Sequence, residues 1–336
     1  MTDSTSEKPD RRAALHRIAG LAAAPAGFPL LAGVLGSENV PLISSASAAA
    51  YDGVQPNQGG VVHIPGASVP TVTIAEWMDP KAVTGPFRIA QSKAALERAP
   101  ATAARYEAKL YNFPSGSLRT MTFKKGGPVM HQITFETQIY VLSGTATLTP
   151  LPGHQGKPVK VSAGDALFLP SGYLSNPKTS EDFVILQAMV GRTVREAKSK
   201  IVTAKQAEVS EIAQWQADGK EFRVTKPEER RNAPKTANLQ VLKRYVAEGN
   251  SIRVDTMKGG RSNTVTNNRV DVLMYIAKGH FRRKEGDQML DLVAGDCIRE
   301  KMGHTGHWEP QEESVFIATD APMNLNMPPP DSVPLR

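Results

Sequence analysis

Seven short segments of this chain recur in the same order at a nearly constant offset, which commits it to fold as two copies of one unit. Ile74-Ala75-Glu76-Trp77 returns as Ile212-Ala213-Gln214-Trp215, and Phe87-Arg88-Ile89 as Phe222-Arg223-Val224. Ser117-Leu118-Arg119 returns as Ser251-Ile252-Arg253, and Gly126-Gly127 as Gly259-Gly260. Tyr140-Val141-Leu142-Ser143-Gly144 matches Tyr275-Ile276-Ala277-Lys278-Gly279, and Ala163-Gly164-Asp165 matches Ala294-Gly295-Asp296. Phe183-Val184-Ile185 aligns with Val315-Phe316-Ile317. Each match alone is weak; their shared order is what constrains the fold.

Within the first copy, alternating or continuous apolar runs between turn residues predict strands over Ala108–Tyr111, Leu118–Phe123, Thr137–Leu142, Ala146–Pro150, Ala166–Leu169 and Phe183–Met189. Each copy is expected to open with a short helical or irregular lead carrying Trp77 or Trp215, read as lid or packing residues. Between the copies, Val194–Asp218 is charged with intermittent apolar positions and is expected to hold one or two helices. The Pro328-Pro329-Pro330 run predicts an extended tail.

Tyr140 to Leu148 reads as strand, glycine turn, strand, and Gly164 to Gly172 as turn, strand and a second turn closed by Pro170 and Gly172. Together they resemble the two motifs of the cupin family. The resemblance covers nearly all of the chain beyond residue 50. It implies an all-β fold of two tandem cupin-type antiparallel β-barrels (jelly-roll) with short helices, over residues 51–193 and 194–336.

In metal-binding cupins two histidines and a glutamate come from the first motif and a third histidine from the second. The resemblance places His131, Ile133, Thr137 and Ser175 in those slots of the first barrel. Glu136 lies one residue early, and strand alternation points it away from the cavity unless a bulge intervenes. The matching slots of the second barrel hold Thr266, Asn268, Val272 and Gly306. The expected cofactor is none. One route to a metal remains, in which a bulge at Gly306 turns His307 inward with Glu309 on the same face.

The second barrel is the more polar, because Phe168 becomes Arg299 and Leu169-Pro170 becomes Glu300-Lys301. Buried charge must be paired or used. Either Arg299 and Glu300 lie on an exposed or interdomain face, or a pocket binds a polar or anionic ligand through Arg299, Asn268 and His307. Arg119 and Arg253 are read as structural. Cys297 is the only cysteine, which excludes an intramolecular disulfide and predicts a small core residue.

Residues 1–50 read as a leader. Arg11-Arg12 precedes a weakly polar Ala/Gly/Leu-rich run from Ile18 to Leu35, and Ala46 to Ala50 supplies small-residue cleavage sites, near Ala48 or Ala50. This resembles a twin-arginine export signal, implying a periplasmic or secreted bacterial protein. Pro25, Pro29 and Ser37-Glu38-Asn39 interrupt the run before it is long enough to span a bilayer, and no later segment is apolar enough. The formal charge of +7 resides beyond the leader and is dispersed, with no basic stripe or zinc-finger spacing to suggest nucleic acid.

The favoured reading is an exported two-barrel protein that binds a small polar, organic-acid or sugar-like ligand without metal, through Thr137, Ser175, Asn268, Arg299 and His307. The alternative is a cupin-type enzyme. It would be either a metal-dependent dioxygenase or decarboxylase, or a metal-free isomerase or lyase with His131 as general base and Glu136 or Tyr140 beside it. A third class is a non-catalytic scaffold whose barrels pair edge to edge, as cupin-like sheets do in dimers, giving a homodimer.

Overall fold

Alternation of side chains along β-strands explains most of the architecture, because many strands here are buried on both faces. The computed structural model describes residues 60–78, 87–90, 92–113, 116–126, 131–132, 137–150, 157–169, 174–189, 200–247, 250–258, 264–267 and 270–321. Residues 1–59, expected to include a leader, and the proline-rich C-terminal segment lie outside these residues, as do Ile133, Glu136 and Asn268.

The first lobe is built from β2 (Val72–Met78), β3 (Phe87–Ala90), β4 (Ala104–Phe113), β5 (Gly116–Phe123), β6 (His131–Gln132), β7 (Thr137–Ser143), β8 (Thr145–Pro150), β9 (Val159–Ser162), β10 (Ala166–Leu169), β11 (Leu174–Thr179) and β12 (Phe183–Met189). The second contains β14 (Glu208–Ala217), β15 (Lys220–Val224), β16 (Asn238–Ala247), β17 (Asn250–Met257), β18 (Thr264–Asn267), β19 (Asp271–Lys278), β20 (His280–Glu285), β21 (Gln288–Val293), β22 (Cys297–Glu300), β23 (Thr305–Pro310) and β24 (Ser314–Ala321). Two short helices, α1 (Lys93–Arg98) and α2 (Pro227–Arg231), complete the described elements. The fold is all-β, and each lobe combines an eight-stranded with a four-stranded antiparallel sheet, neither of them closed.

Two further strands cross between the lobes. The eight-stranded sheet of the first lobe runs β13-β10-β7-β12-β5-β4-β2-β3, and that of the second β1-β22-β19-β24-β17-β16-β14-β15. Here β1 (Val61–Ile64) precedes the first lobe yet pairs with β22, while β13 (Lys200–Val202) precedes the second lobe and pairs with β10. Each lobe therefore covers a sheet edge of the other, protecting backbone groups that would otherwise be open to association.

The Gly-Asp turns clasp these crossing strands. Asp296 accepts from its own turn at Val293 N (3.1 Å), from Gly66 N just after β1 (2.8 Å), and lies 3.0 Å from His63 Nε2. Asp165 accepts from Ser162 N (2.9 Å) and from Ala204 N just after β13 (2.9 Å). The preceding glycines adopt φ of +92° at Gly164 and +98° at Gly295, which side-chain-bearing residues rarely reach. Their carbonyls accept from the opposite lobe, Gly295 O from Tyr111 Oη (2.9 Å) and Gly164 O from Tyr245 Oη (2.8 Å).

Continuous burial of β10 follows from this arrangement. Leu167 and Leu169 enter the first lobe's interior with Met121, Phe123, Ile139 and Val141, whereas Ala166 and Phe168 enter a core shared with the other lobe. Tyr245, Ile252, Leu273 and Cys297 contribute to that shared core from the second lobe, so Cys297 is the buried core residue expected, its thiol pushed up by burial. A third cluster around Phe281, Trp308 and Phe316 fills the second lobe.

Three local expectations are corrected. Trp77 and Trp215 lie on regular strands, β2 and β14, paired with β4 and β16. Within Val194–Asp218 the described residues form β13 and β14 and no helix. The last repeat match is one residue out: Leu186 pairs with Tyr140 as Ile317 pairs with Tyr275, so Ile185 corresponds to Phe316. A strand apolar on both faces gives no periodic signal to fix its register.

Asp165→Ala and Asp296→Ala are each expected to lower stability by on the order of 2–3 kcal/mol, because buried amides lose a charged acceptor. Urea unfolding of the two variants checks this, and a loss below about 0.5 kcal/mol for both would contradict the clasp.

Candidate functional site

On β7 the inward residues are Thr137, Ile139 and Val141, the last two in the first lobe's core. At the Thr137 end the apolar interior gives way to polar groups. Arg119 of β5 and Gln187 of β12 are buried there as paired neighbours. Arg119 Nε donates to Gln187 Oε1 (2.5 Å), and Gln187 Nε2 donates to Thr137 Oγ1 (3.4 Å). Pro150 ends β8 at this same end, since β7 and β8 are joined by the turn at Gly144; through β11 it leads to Ser175, which faces His131 of β6 across the sheet. The structure thus gathers Thr137 and the backbones of His131 and Ser175 at one mouth.

Deeper in the same lobe, Tyr106 Oη donates to Glu76 Oε1. Burial pushes the Glu76 carboxyl up to about 7, opposed by the Tyr106 hydrogen bond and the nearby Arg119 charge. Its other oxygen is buried without a hydrogen-bond partner among the described residues. Tyr106 is itself held well above the ordinary phenol range, by burial first and then by Glu76. Near neutral pH the permanently charged Arg119 therefore faces a carboxyl that is only partly ionised.

The second lobe keeps the arginine and changes its surroundings. Glu76 and Tyr106 are replaced by Gln214 and Gln240, and Met121 by Asp255. Gln240 Nε2 donates to Asp255 Oδ1, and burial pushes Asp255 up to about 6, against the lowering effects of Arg253, Gln240 and Arg223. At the mouth end Thr137 and Gln187 correspond to Val272 and Ala318, so those polar groups are lost. In their place Arg283 of β20, fully buried, pairs with Glu285 and with Glu300 of β22. His304 Nε2 lies 2.8 Å from the second Glu285 oxygen, and the guanidinium carbon sits 4.5 Å from the Trp308 ring centroid.

Several expected site residues go elsewhere. Tyr140 alternates with inward Ile139 and Val141, so it enters the shared core, edge-on to Tyr245 at 5.7 Å, and cannot assist a base at His131. Arg299 is bound to Asp271 (Nη2 to Oδ2, 2.5 Å), whose other oxygen accepts from Met302 N (2.8 Å). Its partner in sequence, Glu300, points the opposite way, into the lobe interior with Arg283. No bulge turns His307 inward: β23 pairs with β18 and β20 in unbroken register, and Gly306 and Trp308 take the inward positions. His307 and Glu309 share the opposite face of β23.

The residues do not suit the metal of the family that the sequence resembles. A threonine hydroxyl already bonded to glutamine replaces one slot in the first lobe, while Val272 and Gly306 offer no donor side chain in the second. Among the described residues no three His, Cys, Asp or Glu side chains gather in a group that could hold a metal ion.

No family model and no curated protein matches this sequence. Solved structures do resemble it. Streptomyces albus HEPD, with its substrate 2-hydroxyethylphosphonate and Fe(II) bound, matches with TM-score 0.53 at 8% identity over 80% of this chain and 78% of its own. The E. coli protein Ylba, described under DUF861, gives 0.49 at 12% identity over 84% of this chain and 100% of its own. A mutant of Bacillus subtilis oxalate decarboxylase OxdC gives 0.44 at 12% identity over 65% and 74%. At such identities the likeness is one of fold.

The raised Glu76 value has a thermodynamic signature. The folded chain holds the Glu76 proton more tightly than the unfolded chain, so this group favours folding below its ordinary 4.5 and loses that contribution as pH rises towards 7. Glu76→Gln is expected to flatten the decline in stability between pH 5 and 7.5 by on the order of 2 kcal/mol relative to wild type. Parallel profiles from denaturant unfolding at several pH values would contradict the assignment.

Proposed function

We propose that this chain is an exported two-lobed cupin-type protein that binds a small organic acid, or a similarly polar sugar-like anion, in its first lobe without a metal. One observation carries the reading: a buried guanidinium, Arg119, stands at the mouth end beside Gln187 and Thr137. Arginine presents a planar donor set suited to carboxylate, and its charge is only partly offset by Glu76. The backbones of His131 and Ser175 pair at the same end. Export rests on Arg11-Arg12 and the small-residue run to Ala50; mass analysis of the secreted protein should find its N-terminus near Ala48 or Ala50.

A second reading, a metal-free isomerase or lyase, draws on Glu76, whose free oxygen and near-neutral titration suit proton transfer. His131 is then a second candidate base. The two readings separate by mutation, since Glu76→Gln abolishes turnover in an enzyme and leaves ligand binding largely intact in a binder.

Thermal-shift screening of the mature protein against carboxylic and sugar acids is expected to reveal stabilisation at millimolar ligand, because binding to the native state raises its melting temperature. Arg119→Met should abolish that shift, while Arg253→Met retains it. No stabilisation by any acid, or equal shifts with and without Arg119, would overturn the proposal.

A further inference from the structure

The outer face of the second lobe's large sheet carries hydrocarbon where the first lobe carries charge. Pleat alternation and strand pairing put Val209 and Trp215 of β14, Phe222 of β15, and Leu239 and Val241 of β16 on that one face. By the same pairing, the first lobe has Arg88, Arg105 and Glu107 at the positions of Phe222, Leu239 and Val241. Val209 is 58% exposed, Leu239 45% and Phe222 38%, and the Trp215 ring stacks on Phe222 with centroids 5.2 Å apart. Single exposed hydrophobes are ordinary, whereas several gathered on one face mark a contact surface.

The cover differs as well. In the first lobe α1 shields this face, with Ala95 and Leu96 packed in a cluster with Ala75 and Trp77 of β2. In the second lobe the helix after β15 is α2, Pro-Glu-Glu-Arg-Arg, whose Arg230 ties to Glu211 of β14. A turn of helix with no apolar side chain beyond its proline cannot shield hydrocarbon. The face is left to solvent.

Charge decides what fits it. Lys220, paired with Ala217, and Lys243, paired with Val209, share this face and bracket the apolar positions at opposite ends. Among the described residues of β14, β15 and β16 the one acid on the face is Glu211, already neutralised by Arg230. A second copy of the chain would set these lysines against their own kind. A bilayer with anionic headgroups instead meets both parts of the pattern, offering phosphates to the lysines and an apolar layer to the centre, with tryptophan at its preferred interfacial depth.

We propose that this face docks the protein on an anionic phospholipid surface, with Trp215, Phe222 and Leu239 entering the headgroup layer and Lys220 and Lys243 held at its phosphates. The proposal concerns the second lobe and does not depend on what the first lobe binds.

The test uses the chain from residue 51, which keeps every described element and lacks the apolar run of residues 18–35. Vesicles of phosphatidylglycerol mixed with phosphatidylcholine should capture it on sedimentation at low salt, and phosphatidylcholine alone should not. Lys220→Gln with Lys243→Gln should weaken capture about thirtyfold, and Phe222→Ser with Leu239→Ser about tenfold or more. Both double variants should melt within a few degrees of wild type, since these side chains lie on the outer face. Brominated phosphatidylglycerol should quench tryptophan emission, and Trp215→Phe should remove most of that quenching. No capture by anionic vesicles, or capture that either double variant leaves unchanged, overturns the proposal. So does a dimer in sedimentation velocity that Phe222→Ser with Leu239→Ser dissolves, because a second copy would then occupy the face.

Discussion

The reciprocal hold of each Gly-Asp turn on a strand that belongs, in sequence, to the other copy is the constraint on which this molecule depends. Asp296 gathers Gly66 and His63 from the segment around β1, and Asp165 gathers Ala204 after β13. Tyr111 and Tyr245 reach across to the carbonyls of the glycines before those aspartates. These bonds lie beside an apolar core drawn from both lobes, which explains why strands such as β5 and β10 are buried on both faces. Neither lobe covers its own sheet edge. The orientation of the two mouths is thereby fixed by the same contacts that complete the sheets.

Duplication has left the two interiors with different chemistry on one frame. The first keeps a buried layer of Arg119, Gln187 and Thr137, near a carboxyl that burial holds partly protonated. The second has lost that layer and filled its mouth with Arg283 and two carboxylates. In the first lobe burial weakens the carboxyl that faces Arg119, whereas in the second two carboxylates pair with Arg283.

The apolar runs, the Gly-Asp turns and the order of the repeats were legible in the sequence, because strands between tight turns leave a periodic trace. The crossing of β1 and β13 was not. Val61–Ile64 and Lys200–Val202 are too short for a periodic signal, and their partners lie more than thirty positions away or more than two hundred. Arg119 was visible as a matched position but read as scaffold, since a repeat preserves both roles equally. Arg283 was hidden for another reason: His280–Glu285 looks like a solvated strand until its partners Glu300 and Trp308 are brought against it. Tyr140 and His307 were misplaced because nearness in sequence to His131 or Gly306 suggests a shared site, while pleat alternation decides which face each residue serves.

Native-state amide hydrogen exchange on the protein tests the central claim most directly. If the lobes are completed by exchanged strands, the amides of β1 and β13 exchange with the same free energy as those of β5 and β17, through global unfolding alone. Rapid exchange in β1 and β13 while β5 and β17 stay protected would show that the lobes stand without the crossing, and would contradict the account.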